Sequence, residues 1–131
     1  MFNGSFEHLR AKAQGAGFSD EFLDACRFPE ELIADAFRAD TKKATALCLN
    51  ILSGDDLQLC RAVAICREAV PYIRARCLGD PRDWVRAGAV TTQQSPKVLK
   101  AFKNNDPSPF VQRMARERLS TIKQERKLHA A

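Results

Sequence analysis

The sequence predicts an all-α fold: a short stack of helical repeats, preceded by an acidic helical cap and closed by a long basic helix. Three observations predict it. Apolar residues recur at helical spacing along the chain, and no segment alternates with the period of two that a half-buried strand needs. Asp, Ser, Pro and Gly signals mark the starts and stops between those stripes. One pattern also returns every 25 to 26 residues. Asp55-Asp56-Leu57-Gln58-Leu59-Cys60-Arg61-Ala62 is followed by Asp80-Pro81-Arg82-Asp83-Trp84-Val85-Arg86-Ala87, then by Asp106-Pro107-Ser108-Pro109-Phe110-Val111-Gln112-Arg113. A fixed period of this length means one supersecondary unit used repeatedly, each copy burying its apolar face on the next.

The elements follow in order. Phe6, Leu9 and Ala13, extended at most to Ala16, mark a first helix that Gly15 and Gly17 end. Ser19 is an N-cap for a short helix through Phe22, Leu23 and Cys26. Pro29 opens the helix of Leu32, Ile33, Ala36 and Phe37, and Glu30 and Glu31 suit its N-terminal dipole. Thr41 to Leu52 is a helix with Ala44, Leu47, Cys48 and Ile51 on one side, stopped by Ser53-Gly54. From Asp55 the repeat takes over, each copy opening with an Asp-containing turn that caps the next helix. Second helices begin at Pro71 and at Ser95-Pro96, in step with the repeat, and the last copy runs from Ser108-Pro109 as one long helix toward Leu128. Pro29 to Asp40 reads as a degenerate earlier half-copy. The chain is thus one domain: a cap over residues 1–54, repeats over 55–119, and the basic end of the last helix over 120–131.

Asp80-Pro81-x-x-Trp84-Val85-Arg86-x-x-Ala89-Val90 and Asp106-Pro107-Ser108-Pro109-Phe110-Val111-Gln112-Arg113-x-Ala115 resemble HEAT-like repeats. They resemble especially the short bacterial kind that includes the leucine-rich-repeat variant. The resemblance covers residues 55–119 well, 28–54 weakly and 1–27 hardly at all. It implies a short right-handed α-solenoid of helix pairs, a bacterial or phage origin, and a scaffold that binds proteins and sometimes nucleic acid. It also implies that the second helices line the concave face.

Charge is unevenly placed. Residues 1–55 carry six basic and nine acidic side chains, a net of −3; residues 56–131 carry fifteen and seven, a net of +8. The asymmetry points to an acidic partner for the second half, either nucleic acid or an acidic protein face; the bland alternative is a solvated basic surface. No apolar run approaches the ~20 residues that span a membrane. Met1-Phe2-Asn3-Gly4-Ser5 lacks the basic and apolar regions of a secretory signal, so a cytoplasmic location is expected.

Candidate chemistry is sparse. Cys26, Cys48, Cys60, Cys66 and Cys77 are separated by 21, 11, 5 and 10 intervening residues, without a Cys-x-x-Cys pair. Some leucine-rich-repeat-variant proteins carry a cysteine-bound iron–sulfur cluster. Here Cys60 takes the repeat position of Val85 and Val111, and Cys77 that of Phe102, so core packing is the expected role. His8 and His129 have no nearby acid or nucleophile in a recognisable catalytic arrangement, and Gly15-Ala16-Gly17 lacks the later glycine and the preceding strand a phosphate loop needs. Asp83 beside Trp84 invites comparison with HEAT-like DNA glycosylases, which are much longer; Trp84 falls where Leu59 and Phe110 fall, which predicts a core residue. Catalytic residues, metals and cofactors are therefore not expected.

The basic residues are the candidate site. Arg74 and Arg76, then Lys97, Lys100 and Lys103, lie on the second helices, the three lysines forming one ridge. On the last helix Arg116, Lys123 and Lys127 share a face, with Arg113 beside it, opposite Val111, Ala115, Leu119 and Ile122. No aromatic residues interleave with them, so base stacking is not indicated. Arg61 and Arg86 recur with the repeat and are expected to bond the Asp turns. The expected function is a non-catalytic interaction module for an acidic protein surface, with phosphate-backbone binding as the alternative. The acidic first half could also meet the basic half of a second copy.

Overall fold

The computed structural model describes residues 4–130. The Met1-Phe2-Asn3 part of the leader reading, and Ala131 at the end of the basic tail, lie outside the described residues. Among the described residues there are nine helices and no strand: α1 (Gly4–Gly15), α2 (Asp20–Asp24), α3 (Pro29–Ala39), α4 (Thr41–Leu52), α5 (Leu57–Ala64), α6 (Pro71–Leu78), α7 (Asp83–Thr91), α8 (Pro96–Asn105) and α9 (Pro109–Ala130). Local signals set the starts. Ser19, Asp40, Asp56 and Ser95 each accept the amide of the residue three places on, which satisfies one of the orphan donors at a helix N-terminus. Pro29 and Pro96 occupy the first turn of their helices, where a missing N–H costs nothing. The chain divides into two compact units, residues 1–76 and 77–131, with α6 crossing the boundary.

In the first unit α3, α4 and α5 pack on one another and α1 lies against them. Leu32, Ile33 and Phe37 of α3, Leu47 and Ile51 of α4, Leu59 and Val63 of α5, and Leu9 of α1 are buried. Gly17 ends α1 with φ +104, a left-handed turn that suits glycine; Phe18 follows and returns its amide to Ala13 O at 3.1 Å. Polar ties hold α1 at the surface: Arg10 to Asp24 at 2.6 Å, Lys12 to Asn50 at 2.7 Å, and His8 Nδ1 to Asp56 at 3.1 Å.

In the second unit α7 and α8 both pack on α9. Ala87, Val90, Leu99, Val111, Ala115 and Ile122 form the core, with Leu78, Phe102, Met114 and Leu119 at its edge. Arg86 of α7 organises this unit. Its Nη1 donates to the carbonyls of Asp80 and Pro81 at 2.9 and 3.0 Å, while Nε and Nη2 grip the Asp106 carboxylate at 2.9 and 3.0 Å. The turn that starts one copy is thereby tied to the turn that starts the next, the role expected of Arg86. Arg61, its repeat counterpart, is exposed.

Three expectations need correction. The repeated aspartates do not all cap helices. Asp55 is exposed and its neighbour Asp56 caps α5. Asp80 and Asp106 instead accept the amides of Arg82 and Ser108 two residues on, building Asx turns, and Ser108 Oγ takes the Val111 amide. Trp84 is not core: it is half-buried with the Arg82 guanidinium 5.3 Å over its ring, and Phe110 is 40% exposed under Arg113. Only Leu59 of that repeat position is buried; the next position, Cys60, Val85 and Val111, is fully buried in all three copies. Finally, α2 stops at Asp24, short of Cys26.

Magnitudes separate the ion pairs. The Arg10–Asp24 pair, with Asp24 68% exposed, contributes at most about 1 kcal/mol. Arg86 and Asp106 are 13% and 4% exposed, so losing either partner strands a desolvated charge. Burial alone would raise the Asp106 carboxyl. The Arg86 hydrogen bonds, the Ser108 amide and the Arg86 charge together outweigh burial and hold it below the usual carboxylate range. Replacing Arg86 by Met is expected to cost about 3–5 kcal/mol in urea unfolding, against under about 1 kcal/mol for Arg10→Met. A carboxyl with a depressed native pKa stabilises above its unfolded value of about 3.9 and loses that stabilisation as pH falls through the lower native value. Urea midpoints measured across this acid range are expected to fall more steeply in the wild type than in Asp106→Asn, where this carboxyl is gone.

Candidate functional site

The second unit carries eleven basic and five acidic side chains, a net of +6, against ten and eleven in the first. Its two most buried acids are neutralised internally: Asp80 by Arg82 at 2.8 and 2.9 Å, and Asp106 by Arg86. The helices α8 and α9 are left with nine basic side chains and two acidic ones, Glu117 and Glu125.

The turn Asp106-Pro107-Ser108 folds α9 back along α8, so Pro96 at the start of α8 meets the C-terminal half of α9. At ten residues α8 is much shorter than the 22-residue α9. Ile122 is the last buried residue, and 123–130 are all exposed. The result is a cleft of about 820 Å³ between the two helices. Pro96, Leu119, Ile122 and Ala130 supply its apolar lining; Lys100 and Lys103 stand on the α8 side, and Lys123, Arg126 and Lys127 on the α9 side. Neither a carboxylate nor an aromatic ring lines it.

Four of the nine candidate basic residues, Lys100, Lys103, Lys123 and Lys127, come together here. Lys97 and Arg116 are exposed on the same helices outside the cleft lining. Arg113 lies over the Phe110 ring, 5.7 Å from its centroid. Arg74 and Arg76 belong to the first unit and are half-buried. Lys123, four places after Leu119, flanks the apolar stripe of α9 rather than opposing it, and Lys127, one turn on from Lys123, lies on that same flank and borders the same cleft. Arg126 was not among the candidates, yet it falls four residues after Ile122 and seven after Leu119, squarely on the stripe. Arg118 is structural: it donates to Gln93 O at 3.0 Å and to the Gln94 side chain at 3.3 Å, fastening α9 to the loop before α8.

The other candidates carry less. A hollow of about 490 Å³ between the two Asp-Pro turns has Arg86 and Asp106 in its wall, and those groups are already bonded to each other. His8 does acquire an acid from 48 residues away, and Ser5 stands near it. The Ser5 hydroxyl, however, donates to the same Asp56 carboxylate at 3.5 Å, so the carboxylate gathers two side chains and the Leu59 amide as a helix cap. A nucleophile would have to bond the imidazole instead. Asp83 accepts the Ser108 hydroxyl at 3.1 Å, tying two turns.

All five cysteines are buried thiols outside any disulfide. Cys60 Sγ donates to Ile51 O at 3.4 Å, and no three His, Cys, Asp or Glu among the described residues converge as a metal site. Burial, then the charges of Asp35 and Glu31, pushes the Cys26 thiol up; burial, first of all, does so for Cys66.

No protein-family model matches the chain, and neither does any curated protein or solved structure. Nor is any helix among the described residues long and apolar enough to cross a membrane.

The thiol environment has a direct readout. A small disulfide reagent at neutral pH is expected to modify the native protein slowly and all five cysteines within seconds in denaturant. Rapid modification of a native thiol would contradict their burial.

Proposed function

We propose that the chain is a non-catalytic binding module that takes an acidic surface of a partner protein against the basic face of α8 and α9. The observation that carries this reading is the cleft itself: five cations border it and no carboxylate answers them. Like charges held this close repel one another, and fold stability gives no reason to gather them. An opposing acidic surface does.

We also read the helix pairs as HEAT-like repeats in a short right-handed solenoid. Supporting this are the buried Cys60, Val85 and Val111 at one repeat position, the Pro-started helices α6 and α8, and the Arg86–Asp106 tie between successive turns. A module of this kind works by presenting a surface rather than a pocket for chemistry. A cytoplasmic bacterial adaptor is the setting that agrees with these features.

The test is a titration of the whole protein with poly-L-glutamate and, separately, with random duplex DNA. The wild type is expected to bind the polypeptide at low salt and to weaken as the Debye length falls toward about 8 Å at physiological ionic strength. The double variant Lys100→Glu/Lys123→Glu is expected to lose at least about tenfold in affinity while keeping its helical circular dichroism, since exposed substitutions shift stability by only about 0.5 kcal/mol. Binding that survives the reversal removes the cleft as the site. Tighter binding to duplex, falling steeply with salt, selects the nucleic-acid alternative.

A further inference from the structure

We infer that the occupant of the α8–α9 cleft is an acidic amphipathic helix of a partner protein, a refinement that rests on the acidic-partner reading above. The cleft combines two features that different ligands would use. Its rim is cationic and its floor is apolar, with Leu119 and Ile122 at the bottom and Pro96 and Ala130 at the sides. A phosphate backbone would use the rim and leave the floor idle. A single strand would need aromatic platforms, and a proline-rich segment an aromatic groove; no aromatic ring lines this one. An added β-strand needs a sheet edge, and the described residues contain no strand. What uses both features is a helix laid in the groove, apolar face down.

The geometry sets the ligand's pattern. The lining stretch of α9, Leu119 to Ala130, is 12 residues and about 18 Å long, room for roughly three turns of a third helix. Along α9 the core stripe Val111, Ala115, Leu119, Ile122 runs on as Arg126 and Ala130 after burial ends at Ile122. The groove is thus the unit's own core seam continued without a covering helix. A fitting ligand carries apolar anchors at i, i+3 or i+4, and i+7. Carboxylates on its two flanks would meet Lys100 and Lys103 on one side and Lys123 and Lys127 on the other, while the methylenes of Arg126, on the stripe itself, would lie under the ligand's apolar face.

The probes are two synthetic peptides of about 14 residues and identical composition, rich in Glu and Leu. One has its leucines on a single helical face; the other scatters them round the helix. Anisotropy titrations of the whole protein are expected to show the patterned peptide binding at least about tenfold more tightly, with Lys123→Glu/Lys127→Glu weakening it by a similar factor. Equal binding of both peptides, each sensitive to that reversal, would overturn the helix while leaving the acidic-partner reading in place. Failure of both peptides to bind would overturn both readings. Tighter binding to a duplex of matched length or to anionic vesicles, or self-association abolished by the same reversal, would replace the helix with that occupant.

Discussion

Arg86 holds the C-terminal unit in register by closing two turns with one side chain. One nitrogen satisfies the carbonyls of the turn before its own helix, and the other two take both oxygens of Asp106 in the turn before α9. A lysine could not do this, because an ammonium lacks the planar fork that a carboxylate accepts side by side. Asp106 then bonds the Ser108 amide, and its carbonyl receives the Gln112 side chain at 2.7 Å. The direction in which α9 leaves the turn is fixed at this point. A buried ion pair gains little net stability over an apolar replacement, because desolvation offsets the attraction. Its value here is to decide which turn meets which.

The same constraint shapes the surface. With Asp106, at the junction of α8 and α9, drawn inward onto Arg86, the acids on those two helices are Glu117 and Glu125. Pro96 sets the start of α8 well short of the end of α9, so the long helix overruns its neighbour and the apolar seam emerges between rows of cations. Arg118 holds the base of the overrun to the loop before α8. The cleft is a consequence of unequal helix lengths and internally paired acids, and no moving part is needed to make it.

Much of this was legible locally. Proline and serine signals placed the starts of α2, α3, α6, α8 and α9, because capping depends on a few adjacent residues. The repeat correctly aligned Cys60, Val85 and Val111 as core. It failed one position earlier, since a residue about 100° round the helix sits at the rim, where Leu59 is covered but Trp84 is half-buried beneath Arg82 and Phe110 is exposed beneath Arg113. Equivalent repeat positions share a backbone site, not a neighbourhood. Asp56 joining His8 and Ser5 could not be read, because partners that far apart in sequence leave no local trace. Arg126 is legible: it continues the apolar stripe, and a long cationic side chain can form part of such a stripe because its methylenes cover apolar surface.

One buried arginine–aspartate pair is expected to keep α7, α8 and α9 in a single cooperative unit. Native-state hydrogen exchange, compared residue by residue between the wild type and Asp106→Asn, tests it most directly. The most protected amides of all three helices are expected to lose protection together and by the same factor. Loss confined to the Asp106 turn and the first turn of α9, with α7 and α8 unchanged, would contradict it.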